Sequence, residues 1–106
     1  MRVLFDQGTP APLRRALRGH AVETAFERGW STLVNGELLA AAEAAGFEVL
    51  VTTDMNLRYQ QNLSSRRIAI VVLTSTSWPR IRAVSAAVAE AVDAGATVPY
   101  AEVVIP

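Results

Sequence analysis

The chain has 106 residues, of which 51% are apolar and 19% are charged, so it is long and apolar enough for one packed domain over residues 1–106. Ten arginines balance ten acidic residues, and this zero net charge excludes a polycation that holds nucleic acid by bulk charge. The absence of Cys and Lys excludes disulfides, thiolate sites, Schiff-base chemistry and a phosphate-binding lysine.

The apolar pattern of the first third of the chain predicts strand, helix, strand. The first predicted strand is Val3–Phe5. A helix follows it, with Thr9 as its cap and Gly19 at its end. The second predicted strand is Ala21–Glu23, and the stretch 26–33 fits either a short helix or an ordered loop.

The middle of the chain predicts a second helix, a strand and a third helix. The second helix begins at the cap Asn35 and ends at Gly46. The third strand, Phe47–Thr52, follows it directly. Asp54 then caps a third predicted helix that runs through Leu63.

The last part of the chain completes the alternation. Its predicted elements are the strand Ile68–Thr74, a helix from the cap Ser77 to Gly95, and the strand Glu102–Ile105. The third and fourth strands are almost continuously apolar, which is typical of strands buried on both faces. Alternation of this kind predicts an α/β fold: a three-layer α/β/α sandwich with a mainly parallel sheet of about five strands.

Three carboxylates are expected at one edge of that sheet. Asp6 and Asp54 follow the first and third strands, and Glu37 lies in the first turn of the second helix. Ligands of open parallel sheets bind at the carboxyl ends of the strands. Clustered carboxylates repel one another, and a divalent cation relieves that repulsion; oxygen-only ligands favour Mg²⁺ or Mn²⁺. Singly, each acid also fits a structural role: a turn at Asp6, a helix cap at Asp54, and a favourable helix-dipole position at Glu37.

Three strings of residues resemble a compact branch of the PIN-like domain family, which includes ribonucleases and bacterial toxins. They are VLFDQGTP, NGELLAAAEAAGFEVLVTTDMNLRYQQNL and RRIAIVVL, and the resemblance extends to about Gly95. It implies metal-dependent hydrolysis of RNA by an acidic cluster, with Asp6, Glu37 and Asp54 as the catalytic acids.

The chain departs from the family pattern at two positions. Asn56 stands where a fourth acid is usual, so we expect it as an additional metal ligand, and Gln7 stands where many members carry Glu. The expected chemistry has Mg²⁺ or Mn²⁺ held by Asp6 and Asp54, with Glu37 orienting the ion or accepting a proton from water.

The zero net charge conceals a strong asymmetry. Between Glu23 and Asp54 there are six acids and one Arg, whereas between Met55 and Arg82 there are five Arg and no acid. This pattern fits an acidic metal site beside a basic track for RNA. The predicted RNA-binding residues are Arg14, Arg58, Tyr59, Arg66 and Arg67. The alternative is that these arginines are ordinary solvated surface residues.

Two other functions compete with the ribonuclease. A phosphoryl-accepting receiver domain would use Asp6, Asp54 and Thr74, but it also needs paired acids after the first strand and a Lys that this chain lacks. The stronger alternative is an inactive PIN-like module that binds a protein partner, such as an antitoxin or a second copy. The N-terminal stretch is interrupted by Asp6, and the longest apolar run is too short for a bilayer, so we expect a cytoplasmic protein without a membrane partner.

Overall fold

A computed structural model describes residues 1–60, 63 and 66–106. Its strands are β1 (Arg2–Phe5), β2 (Ala21–Thr24), β3 (Val49–Thr52), β4 (Ala69–Leu73) and β5 (Tyr100–Val103). Its α-helices are α1 (Asn35–Ala44), α2 (Leu57–Gln60), α3 (Trp78–Ala83) and α4 (Ser85–Asp93). Short 3-10 helices occupy Ala11–Ala16 and Ala94–Ala96. The last residues of the predicted third helix lie partly outside the described residues.

The five strands form one all-parallel sheet in the order β2-β1-β3-β4-β5. The predicted α/β class is thereby confirmed, and this order is one of the common doubly wound arrangements. The chain moves outward from β1 to β2 and then returns to place β3 on the other side of β1. A switch point therefore lies between β1 and β3, where open α/β sheets bind their ligands.

Side chains alternate across the sheet and build a core on each face. Val3 and Phe5 of β1 point into one core, which the 3-10 helix Ala11–Ala16, α3 and α4 cover. Leu4 points into the other core, which α1 and α2 cover. Every residue of β3 and β4 is buried, as the continuous apolar runs of these strands predict.

The first helix differs from its prediction. It is a 3-10 helix that begins after Pro10 and has no side-chain cap. Thr9 cannot serve as the cap because its hydroxyl lies 2.6 Å from a carboxylate oxygen of Asp6. Helix α1 likewise begins at Asn35 with Val34 as its N-cap, whereas Asn35 was the predicted cap. Gly46 follows α1 with φ +85°, which agrees with the predicted helix end.

The predicted fourth helix is two helices. The helical backbone breaks at Val84, where φ is −122°, and resumes in α4. Buried Ile81 and Val88 still share the core, so the break redirects the chain without exposing its apolar face.

None of the helices in the described ranges combines the length and apolar character that a bilayer crossing requires.

Gly95 is required by close packing against the sheet. A Cβ at this position would lie 2.9 Å from Cγ2 of Val49 and 3.5 Å from Cβ of Ala69. Both neighbours are buried, so neither can move freely away. The backbone after α4 therefore reaches the sheet only because residue 95 has no side chain.

We expect Gly95→Ala to lower the free energy of unfolding by about 1–3 kcal/mol, the usual cost of overpacking a core. Urea denaturation measures the change. The double variant with Val49→Ala provides the control, because it removes the methyl group that the new Cβ would meet. Its loss of stability should be smaller than the sum of the two single losses, and strict additivity would contradict the packing argument.

Candidate active site at the carboxyl edge of the sheet

Asp6 and Asp54 lie on the same small cavity at the switch point. The register of β1 and β3 pairs Phe5 with Val51, and the Asp6 backbone N–H continues the ladder by donating to the Val51 carbonyl at 3.1 Å. Asp54 follows β3 by two residues. Both aspartates line a cavity of about 70 Å³, named here the acid cleft. This volume is far below the roughly 300–1,000 Å³ of organic ligand sites, so it suits water molecules or a hydrated ion.

Two threonine hydroxyls hold the Asp6 carboxylate. Thr52 donates from Oγ1 to Oδ2 at 2.5 Å, and Thr9 Oγ1 lies 2.6 Å from Oδ1. The Asp54 backbone N–H donates to Thr52 Oγ1 at 3.0 Å. Thr52 and Thr9 are only 2% and 6% exposed. A polarised chain of hydrogen bonds therefore links the half-buried Asp54 and Asp6 through the buried hydroxyl of Thr52.

The sequence allowed two roles for Asp54, a helix cap or a metal ligand, and the structure is compatible with both. Its Oδ1 accepts the backbone N–H of Asn56 at 3.0 Å, and its carbonyl accepts that of Leu57 at 3.3 Å. These bonds form the turn that leads into α2, while the carboxylate also lines the acid cleft. Asn56 is exposed, and its recorded contact with Asp54 is made through the backbone.

Glu37 is exposed in the first turn of α1 and is not one of the residues that line the acid cleft. Its neighbours Val34 and Leu38 line the cleft instead. In residues 1–60, 63 and 66–106 there is no group of three or more Asp, Glu or His positioned to share a metal ion. The structure thus brings together Asp6 and Asp54 and places Glu37 beside the cleft, on the outer side of α1.

Gln7 fastens the loop before α1. Its side-chain amide donates towards the carbonyls of Leu33 at 2.7 Å and Ser31 at 2.9 Å, with that of Trp30 at 3.4 Å. These carbonyls belong to the stretch that the sequence left ambiguous, which is a loop of turns. Gln7 therefore fixes where α1 begins relative to Asp6.

Hydroxyl–carboxylate bonding at Asp6 leads to a stability prediction. Thr52→Val keeps the shape of the side chain but removes the donor to Asp6 and the acceptor for the Asp54 N–H. We expect the free energy of unfolding to fall by about 1.5–3 kcal/mol, the range for hydrogen bonds to charged groups. Urea denaturation at neutral pH measures it. Thr52→Ser is the matched control because it keeps the hydroxyl; an equal loss in both variants would contradict the prediction.

Arg14 forms a doubly bonded ion pair with Glu27. Its Nη2 lies 2.7 Å from Oε1 and its Nη1 3.3 Å from Oε2. The Thr24 N–H also donates to Glu27, which in turn donates its own N–H to the Thr24 hydroxyl. The Arg14 hydrogen bond and then that from Thr24 hold the pKa of Glu27 below its ordinary value. Arg14 is thus near Asp6 but already neutralised by a carboxylate.

Arg66 and Arg67 lie at the opposite edge of the sheet from the acid cleft. They precede β4, whereas Asp6 follows β1, and strands of four residues separate these edges by about 13 Å. Arg66 donates to Glu43 Oε1 at 2.8 Å, and the Arg67 N–H donates to Oε2 at 2.7 Å. The structure therefore does not bring these arginines to the predicted metal site.

The ionised carboxylate of Glu43 holds the turn at Arg66 and Arg67 in place. Burial alone would raise the pKa of Glu43, but the hydrogen bonds from Arg66 and the Arg67 N–H outweigh it and lower the pKa. A carboxylate with a lowered folded-state pKa stabilises the fold above the ordinary pKa. That stabilisation is lost as the pH falls through the folded-state value.

We expect Glu43→Gln to destabilise the protein at neutral pH by about 1–3 kcal/mol, because the two charge-assisted bonds from Arg66 and the Arg67 N–H are weakened or lost. The difference from the unmutated protein should shrink when urea denaturation is repeated from about pH 7 to about pH 3, across the ordinary glutamate pKa of about 4.3. Glu90→Gln, at an exposed position of α4, is the control and should show neither effect. A difference independent of pH would contradict the assignment.

Large exposed apolar side chains surround the carboxyl edge. Tyr59 is 74% exposed on α2, Phe26 is 80% exposed after β2, and Val34 and Met55 are about half exposed. The side chain of Arg58 lies outside the described residues. Tyr59 thus has the exposure that its predicted role as a stacking ring requires.

Sequence reasoning missed the two threonines that hold Asp6. The signal for Thr9 was its spacing of three from Asp6, with the Thr9 N–H donating to the Asp6 carbonyl at 3.3 Å in a turn. Thr52 carried no local signal, because its contact with Asp6 depends on the pairing of β1 with β3. Thr74, the hydroxyl of the receiver alternative, accepts the Ile105 N–H at 2.8 Å and does not line the acid cleft.

Comparison with known proteins found no matching family model, no matching curated protein and no matching solved structure.

Proposed function

We propose that the protein is a cytoplasmic, metal-dependent ribonuclease of the PIN-like type, with Asp6 and Asp54 as its metal ligands. The observation that carries this proposal is the placement of both carboxylates on one small cavity at the switch point of a doubly wound sheet. The resemblance in the strings around Asp6 and Asp54 supplies the chemical class.

The residues of the acid cleft fit a hydrated Mg²⁺ or Mn²⁺. Each ionised carboxylate has about four acceptor positions, so Asp6 retains acceptor capacity after its two threonine contacts. Asp54 retains more, since among the described residues its side chain accepts one hydrogen bond, from the Asn56 N–H. Mg²⁺ keeps several water ligands and commonly binds proteins through one or two carboxylates. Two carboxylates beside a cavity of water size therefore suffice for one ion.

The bound ion would polarise a phosphate oxygen and lower the pKa of a coordinated water. In this proposal Asp6 and Asp54 hold the ion, and Thr52 keeps Asp6 oriented through its hydroxyl. The resemblance would assign Glu37 as the base for the attacking water; Glu37 is exposed outside the cleft lining, so it would have to act from the rim of the cleft. Asn56, which is exposed in the turn after Asp54, would supply an amide to the outer ligands of the ion.

We expect Asp54→Asn to reduce metal-dependent cleavage of a mixed RNA pool by about 100-fold or more, because a charged ligand is replaced by a neutral amide. Cleavage is measured with Mg²⁺ or Mn²⁺ and with EDTA. Asp54 is chosen over Asp6 because both carboxylate oxygens of Asp6 contact threonine hydroxyls, so that a substitution of Asp6 would also affect stability.

Two controls accompany this experiment. Glu90→Gln removes one exposed carboxylate far from the cleft and should cleave normally. Urea denaturation should show that Asp54→Asn is folded. A folded Asp54→Asn variant with full metal-dependent activity would contradict the proposal.

The alternative, a module that acts by binding a protein partner, is favoured by one observation. Phe26, Val34 and Met55 are large exposed apolar side chains in segments that follow β2, precede α1 and follow β3, and exposed apolar surface can mark an interaction site. An antitoxin or a second copy of the chain would cover them. Titration with Mn²⁺ followed by electron paramagnetic resonance separates the two functions: a nuclease binds the ion in an Asp54-dependent way, whereas a binding module need not.

A further inference from the structure

The acid cleft lies beside a second, larger cavity. Asp6 and Gln7 line both the cleft and a neighbouring cavity of about 730 Å³, named here the central groove. Thr24, Phe26 and Trp78 line this groove farther from the cleft. The two cavities therefore have Asp6 as a common wall, and a chain-like ligand held at Asp6 would lie next to both.

Charge in the central groove does not favour a phosphate. Its charged residues are Asp6, Glu27 and Arg14, and Arg14 is paired with Glu27. The groove thus has excess negative charge at its Asp6 end and a neutral ion pair on its wall. Any phosphate-binding cations that serve such a ligand must lie beyond the groove.

A third cavity of about 590 Å³ has such cations in its lining. Pro12, Arg15, Ala16, Trp78, Arg82 and Ser85 line this arginine groove. Trp78 lines both grooves, so this residue lies where the two grooves adjoin. Arg15 and Arg82 are exposed, and neither guanidinium has an ion pair or side-chain hydrogen bond with another of the described residues.

The Trp78 side chain is held in place by packing. It is half-buried and packs against the core beneath α3, so its orientation does not depend on a ligand. Aromatic rings bind bases of any sequence because every base has a π face. Guanidinium groups bind phosphates with two parallel hydrogen bonds and are more weakly hydrated than ammonium groups. A half-buried tryptophan beside two arginines that have no partner among the described residues therefore suits a single-stranded polynucleotide.

We propose that single-stranded RNA leaves the acid cleft through the central groove, stacks one base on Trp78, and binds its next phosphates to Arg15 and Arg82. This inference rests on the proposed function, because it identifies how substrate reaches the same two carboxylates. It also moves the basic track away from Arg66 and Arg67, whose edge of the sheet is the opposite one.

The test measures binding of a fluorescein-labelled single-stranded RNA of about 12 nucleotides in EDTA, where metal-dependent cleavage cannot occur. Fluorescence anisotropy is recorded over a range of salt concentrations. Replacing both Arg15 and Arg82 with Gln removes two phosphate contacts and should lower the salt-dependence slope by about 1.4, since each contact contributes about 0.7 for single strands. Arg18→Gln combined with Arg80→Gln is the matched control.

The control variant removes the same charge from the same two segments of chain, but neither Arg18 nor Arg80 lines the arginine groove. Its slope and affinity should change less than those of the groove variant. Equal changes in the two double variants would overturn the proposal, because binding would then depend only on net charge.

Stacking has its own readout. In a Trp30→Phe background, Trp78 is the sole tryptophan, and bound RNA should quench its fluorescence. Trp78→Leu keeps apolar bulk against the core and should weaken RNA binding roughly 5- to 150-fold, the range for one stacked base. Unquenched Trp78 fluorescence on RNA binding, or equal binding of a polyglutamate peptide, would overturn the proposal.

The outcomes separate this inference from the proposed function. If the variant lacking Arg15 and Arg82 binds and cleaves RNA normally, and cleavage still depends on Asp54, the proposed RNA path is wrong. The proposed ribonuclease function is then still supported. Groove-dependent binding without cleavage under any divalent ion would support the path and contradict the ribonuclease.

Discussion

The parallel pairing of β1 with β3 is the contact on which the candidate site depends. It is continued past the end of β1 by the hydrogen bond from the Asp6 N–H to the Val51 carbonyl. This register places Thr52 opposite the residue that follows β1, so that its hydroxyl meets the Asp6 carboxylate. Asp54 then enters the cleft because Thr52 also accepts its N–H. A shift of register by one residue would turn Thr52 to the other face and separate the two acids.

The arginines of the molecule fall into two groups, those paired with a carboxylate and those without such a partner among the described residues. Near the acid cleft, Arg14 is paired with Glu27, and at the opposite edge Arg66 is paired with Glu43. These pairs hold turns in place and leave little net charge for a ligand. Arg15 and Arg82 lie on a surface with no such partner among the described residues. The residues with structural roles and those available for a polyanion are therefore different arginines, although their sequence contexts are alike.

The sequence was most informative where burial decides the structure. Continuous apolar runs predicted the buried strands β3 and β4, and the rule that parallel strands end at one edge predicted that Asp6 and Asp54 would be near each other. Contacts between distant residues were not predictable. Thr9 has the local signature of a helix cap, yet the nearby Asp6 carboxylate engages its hydroxyl instead. Glu43 and Arg66 are 23 residues apart, and nothing in either neighbourhood indicates their pairing.

Gln7 has a consequence for how this site can change during evolution. Position 7 follows Asp6 and lines the acid cleft, and a single nucleotide change converts a Gln codon into a Glu codon. Here, however, the amide of Gln7 donates to backbone carbonyls of the loop before α1. A carboxylate would bring its negative charge against those carbonyl oxygens and would also remove the donors that secure the loop. The effect of Gln7→Glu on stability therefore depends on the sequence of the loop. The substitution would be tolerated only after another hydrogen bond or packing contact holds residues 30–33 in place.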